Sequence, residues 1–133
     1  MRLVLDCNVL VAAARGSATC RLVVTRAIAG HEPVVSAPIL AEYREVSLRP
    51  KHLAYRSAFA LMLDALAEVA LEIDPAAEAF GLPDPDDEVY LATALAGDAA
   101  ILVTGNQRHF PDGRYGAVAI VSPRAFVDLT GGP

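Results

Sequence analysis

Short, mostly apolar strand candidates at residues 3–5, 34–36, 71–75 (a third strand or sheet edge), 100–103 and 117–121 alternate with stretches of helical periodicity, and this alternation predicts an α/β fold with a mainly parallel sheet. Leu3-Val4-Leu5 has no polar position, as expected of a strand covered on both faces. It ends at Asp6; the second run ends at Ser36 and the fourth leads into Thr104-Gly105-Asn106. In open parallel sheets the carboxyl ends of the strands are where ligands bind, so these small polar and acidic residues are predicted to share one edge.

Between the strands, residues 9–14 form a short predicted helix stopped by Gly16, and a second runs from Ser17 or Thr19 to Ala29. Pro38 opens a third helix, with Ile39, Leu40, Tyr43 and Val46 on its apolar side and Glu42 beside that stripe. Residues 54–69 place Phe59, Leu63, Leu66 and Ala70 in phase as core. Residues 76–82 read as a linker or a helical turn, and Ser122-Pro123 opens a terminal helix through Leu129.

The most informative helix start is Pro83-Asp84-Pro85-Asp86-Asp87-Glu88, which leads into an apolar stripe through Leu91, Ala92 and Leu95. Asp84 suits the N-cap, Pro85 suits the first helical position, and acids in the first turn meet the positive end of the helix dipole. Asp87 and Glu88 are less simply explained, because the spacing places them at the top of the buried face. A carboxylate turned towards a core needs a base, a set of donors or a metal ion.

Asp6, Glu42 and Asp87 then converge on one sheet edge with the uncharged oxygens of Ser36 and Thr104-Gly105-Asn106. With no Cys or His set at ligand spacing, such a group suits a hard cation, Mg²⁺ or Mn²⁺. Taken singly, Asp6 is equally a helix cap and Glu42 a solvated helix acid; their common placement is what favours a metal. Asn8 is either a cap or a donor that orients Asp6.

The 133 residues fit a single domain. A 54% hydrophobic content is high, yet no run reaches the ~18 apolar residues of a membrane span, and Asp6 interrupts any leader-like core at the start, so a cytoplasmic protein is expected. Cys7 and Cys20 are expected as reduced thiols. The net charge of −5 weighs weakly against nucleic acid, but a cluster of metal-binding acids would bias the total in the same direction. The one basic concentration is Arg44, Arg49, Lys51, His52 and Arg56, either a solvated corner or a phosphate contact. His31 and His52 have no partners at metal spacing.

Several fragments, in order, resemble the PIN domain family and, more narrowly, the VapC-like toxins of bacterial toxin-antitoxin pairs. They are Leu5-Asp6-Cys7-Asn8-Val9-Leu10, Ser36-Ala37-Pro38 with Leu40-Ala41-Glu42, and Leu48-Arg49-Pro50-Lys51. Asp84-Pro85-Asp86-Asp87-Glu88 follows with Leu91-Ala92-Thr93-Ala94, then Val103-Thr104-Gly105-Asn106-Gln107-Arg108-His109-Phe110-Pro111. The resemblance implies a three-layer α/β/α domain, a Mg²⁺- or Mn²⁺-dependent ribonuclease of single strands, frequent homodimers and a cognate antitoxin. It puts Asp6, Glu42 and Asp87 on acidic ligand positions, Asn8 and Thr104 in the polar frame, and Glu88 where relatives often have a second Asp. Asn106 stands where many members have a fourth acid, which implies weaker binding of a second ion. Arg108 or the basic segment would hold the RNA backbone.

Two other readings remain at the level of sequence. A phosphatase of the haloacid dehalogenase type also starts with an apolar strand and an Asp, but it wants an acid where Asn8 stands and a downstream Lys. A PIN-like module that binds RNA or a protein without turnover is the non-enzymatic alternative.

Overall fold

A computed structural model describes residues 1–133. Its six-stranded sheet has the order β3-β2-β1-β4-β6-β5, formed by β1 (Arg2–Leu5), β2 (Glu32–Val35), β3 (Leu71–Glu72), β4 (Ile101–Val103), β5 (Arg114–Tyr115) and β6 (Val118–Val121). All pairings are parallel except the β5–β6 hairpin at one edge. Leu3, Val4 and Leu5 are almost wholly buried, as their unbroken apolar run requires for a central strand.

The helices are α1 (Cys7–Ala14), α2 (Ala18–Gly30), α3 (Ala37–Ser47), α4 (Arg56–Val69), α5 (Glu88–Ala96) and α6 (Pro123–Leu129). With the sheet they make a three-layer α/β/α domain. α1 packs on α2 and α4, α2 also on α6, and α5 lies against β1, β2 and β4. Gly97 ends α5 so close to β2 that a Cβ there would sit 2.6 Å from Val34 Cγ1. No single helix is long and apolar enough to cross a membrane. Cys7 and Cys20 are free and buried.

The differences from the sequence reading lie at helix starts and in short elements. The helix expected from Pro85 begins as a 3-10 turn, Pro85–Asp87, because Asp84 Oδ1 accepts from the Asp86 N–H and tightens that turn before α5 starts at Glu88. Residues 50–55 form a second 3-10 turn ahead of α4. Residues 76–82 take no regular structure, and the two-residue β5 was not anticipated.

The chain leaves β1 through α1 and α2 to reach β2 on one side, and returns much later to lay β4 on the other. This reversal opens a crevice at the carboxyl ends of β1 and β4, the usual ligand position in such sheets. Leu5 pairs with Val103, so the next residues, Asp6 and Thr104, emerge side by side at the crevice floor.

Candidate metal centre

Asp6 is fixed from the backbone outward. Its N–H donates to Val103 O at 2.9 Å, and its Oδ2 accepts from Thr104 Oγ1 at 2.8 Å. Asn8 supports both, with Nδ2 at 3.4 Å from Asp6 Oδ2 and from Thr104 Oγ1, while its Oδ1 accepts from the Gly105 N–H at 3.0 Å. Thr104 is fully buried, and its Oγ1 also accepts from the Asn106 N–H at 3.0 Å. These bonds tie the ends of β1 and β4 into one polar frame.

Glu42 reaches the same cleft from α3, where Tyr90 of α5 donates to its Oε2 at 3.0 Å. The neighbouring Tyr43 is fully buried and donates to Leu5 O, which locks α3 onto the end of β1. Asp87 comes from the 3-10 turn that Asp84 tightens and is 8% exposed. Its Oδ2 accepts from His109 Nδ1 at 2.8 Å, and His109 Nε2 lies 2.8 Å from Asn106 Nδ2. With the Asn106 amide donating, the imidazole is the Nδ1–H tautomer.

The three carboxylates line one cleft of about 690 Å³ together with Asn8, Asp84 and Asn106. Their titrations all shift upward. Burial raises Asp6 above the ordinary carboxylate range, opposed by the Thr104 hydroxyl and reinforced by Asp87. Burial also raises Glu42, opposed by Tyr90 and reinforced by Asp6. Asp87 is raised by burial as well, with His109 opposing and Asp84 and Glu42 adding to the rise. The same setting pushes the Cys7 thiol up to about 12, through burial first and Glu42 next.

A group of carboxylates that burial and mutual repulsion make reluctant to ionise is the environment that a divalent cation relieves. One oxygen of Glu42 and one of Asp87 accept from Tyr90 and His109, which leaves the other oxygen of each without a protein donor. Oxygen donors of this kind fit Mg²⁺ or Mn²⁺. The residues present therefore fit the cation that the sequence led us to expect.

A family comparison matches residues 2–108 to the PIN domain. The chain belongs to the PIN domain family. Two solved structures share its fold. VapBC2 of Rickettsia felis bound to a fragment of its promoter DNA is 19% identical, with a TM-score of 0.61 over 92% of this chain and 98% of that one. VapBC-1 of nontypeable Haemophilus influenzae is 17% identical, with a TM-score of 0.59 over the same 92% and 98%. No curated protein matches the chain. Family membership leaves no place for the phosphatase reading.

In this PIN domain Asp6, Asn8, Glu42, Asp87 and Asn106 all line the cleft, with Thr104 in the frame beneath. Glu88 does not join them. Its Oε2 accepts from the Phe80 N–H at 2.7 Å and its Oε1 from the Leu82 N–H at 3.0 Å, so both oxygens serve to hold the irregular 76–82 segment. One residue along α5 turns the side chain away from Asp87, and the metal-ligand expectation for Glu88 gives way to this structural one. Asn106 meets the cluster through His109 rather than facing Asp87 directly.

His109 is the contact that sequence reasoning missed. The available signal was a histidine three residues after Asn106, in a polar turn that follows a strand ending at the site. Of the basic segment, Arg49, Lys51 and His52 line the cleft, joined by Arg15 from the end of α1. Arg49 is paired with Glu45 at 2.8 Å, and Arg15 lies 5.7 Å over the Tyr55 ring. Arg56 instead donates to Leu48 O. Arg108 lines a smaller groove that shares Asn8 and Asn106 with the cleft.

Proposed function

We propose that this PIN domain is a metal-dependent endoribonuclease of single-stranded RNA and the toxin of a toxin-antitoxin pair. The observation that carries the reading is the convergence of Asp6, Glu42 and Asp87 at the crevice between β1 and β4, all with carboxyls raised by burial. Packing alone gives no reason for three acids to face one cleft, since burial still raises each carboxyl although Thr104, Tyr90 and His109 each supply one donor.

Asp6, Glu42 and Asp87 would hold Mg²⁺ or Mn²⁺. A cation held by these residues would supply Lewis acidity for phosphodiester hydrolysis, lowering the pKa of a water and offsetting charge on the leaving oxygen. The chain's own part is positional. Thr104 and Asn8 fix the Asp6 carboxylate, Tyr90 fixes Glu42 and His109 fixes Asp87, so the ligands need not reorganise when substrate arrives. Arg15, Arg49 and Lys51 give the cleft the positive charge that a ribose-phosphate strand requires beside an acidic centre.

The two solved structures are VapBC complexes, which supports an antitoxin as partner for this chain too. A homodimer and a cytoplasmic setting belong to the same reading. The test is cleavage of single-stranded RNA by the purified protein in Mg²⁺ or Mn²⁺, set against Glu42→Gln. Cleavage that needs the cation and is lost in the variant supports the nuclease. Cation-dependent RNA binding without cleavage would instead favour the binding module.

A further inference from the structure

We infer that His109 is itself a metal ligand, its Nδ1 joining carboxylate oxygens of Asp87 and Asp84 in a mixed nitrogen–oxygen position that takes Mn²⁺ in preference to Mg²⁺. The inference rests on the nuclease reading, and it replaces the fourth carboxylate missing at Asn106 with an imidazole.

Three observations lead to it. First, one ligand atom from each of Asp84, Asp87 and His109 lies within 4.8 Å of the others. Bonds of about 2.1 Å to one small divalent ion separate its ligand atoms by about 3 Å when adjacent and about 4.2 Å when opposite, so modest closure brings this group into range. Second, the 2.8 Å between His109 Nδ1 and Asp87 Oδ2 is a hydrogen bond when Nδ1 carries a proton, and it is also close to the spacing of two adjacent ligands. The same side-chain placement serves either state.

Third, the far side of the ring is held by a group that suits both. A ligating histidine normally donates its other N–H to an oxygen. Asn106 lies 2.8 Å from Nε2 through its amide nitrogen, and rotation of that amide presents Oδ1 in the same place. Nε2 then becomes the donor and Nδ1 is freed of its proton. A carboxylate at 106 could accept from Nε2–H but has no N–H to donate, so the amide alone suits either tautomer of the ring. Asn106 is anchored by its own N–H on Thr104 Oγ1, and Phe110, just after His109, is 1% exposed in the core. The imidazole is thus carried on a short turn pinned at both ends.

An imidazole in the donor set shifts preference away from Mg²⁺, which favours oxygen, towards transition ions such as Mn²⁺. Asp87 would be shared, with one side towards Asp6 and Glu42 and the other towards Asp84 and His109.

The experiment is pulsed electron paramagnetic resonance of Mn²⁺ bound to the full chain, with a Mn²⁺ titration and Mg²⁺ competition. The expected result is nitrogen modulation from a directly bound imidazole, altered when histidine is labelled with ¹⁵N and lost in His109→Gln. Mn²⁺ affinity in that variant should fall at least about tenfold while Mg²⁺ affinity changes less. The wild-type spectrum decides the matter even if the variant does not fold. Mn²⁺ bound without nitrogen coupling would overturn the assignment and leave the nuclease reading intact. Absence of any Mn²⁺ binding would overturn both.

Discussion

Thr104 donates a 2.8 Å hydrogen bond to Asp6, joining the ends of two strands that lie 98 residues apart in the chain. The bond supplies a donor to a carboxylate that burial otherwise drives towards its neutral form. It also makes the hydroxyl available to the Asn106 N–H, so one buried oxygen organises both arms of the cleft.

Thr104→Val keeps the shape and removes both roles. The Asp6 carboxyl should rise further, since the group opposing its desolvation is gone. We expect a loss of about 1–3 kcal/mol in denaturant unfolding, the cost of leaving buried polar partners unmade. Mn²⁺ affinity should fall about tenfold, and Thr104→Ser should restore most of both.

Asp6→Asn should stabilise the metal-free protein. The folded-state pKa of Asp6 is raised above its unfolded value, so the native state holds the proton more tightly. The stability tied to that proton is present below the unfolded value and is lost as pH rises through the folded one. Above the folded-state value the wild type carries a buried charge that the amide lacks, which predicts greater stability for the variant there. Thermal melts in EDTA should show that gain on the alkaline side and its decline as pH falls towards the ordinary carboxylate range.

Glu88 gives the opposite signature. Glu88→Ala leaves the N–H groups of Phe80 and Leu82 without their acceptor and should cost about 1–3 kcal/mol. Limited proteolysis should find new cleavage within residues 76–82, while Mn²⁺ titration of the cleft remains near wild type. A large loss of Mn²⁺ affinity would return Glu88 to the metal site.

The parallel α/β class and the acids placed at strand ends and helix starts were legible because each depends on local pattern, whereas the strand order was not. An unbroken apolar run marks β1 and a proline-led cap marks the turn that carries Asp87. Register then delivers Asp6 beside Thr104 without further information. What lay out of reach depends on distant contacts. His109 meets Asp87 across 22 residues, and Tyr90 meets Glu42 across 48, so neither pairing leaves a periodic trace. Glu88 shows the complementary error: helical phase placed it near the buried face, but the segment before α5 supplied two backbone donors that claimed both its oxygens.

The central claim is that Asp6, Glu42 and Asp87 make this PIN domain cut RNA through a bound cation. The most direct measurement is cleavage of end-labelled single-stranded RNA in EDTA, Mg²⁺ and Mn²⁺ by wild type and by Asp87→Asn purified in parallel. Asp87→Asn keeps an acceptor for His109 and should remain folded. We predict cutting only with a divalent cation and a loss in the variant of at least about a hundredfold, the scale of removing one electrostatic contact to the transition state. Equal cutting by both proteins, or none by the wild type across a broad RNA panel, would contradict it.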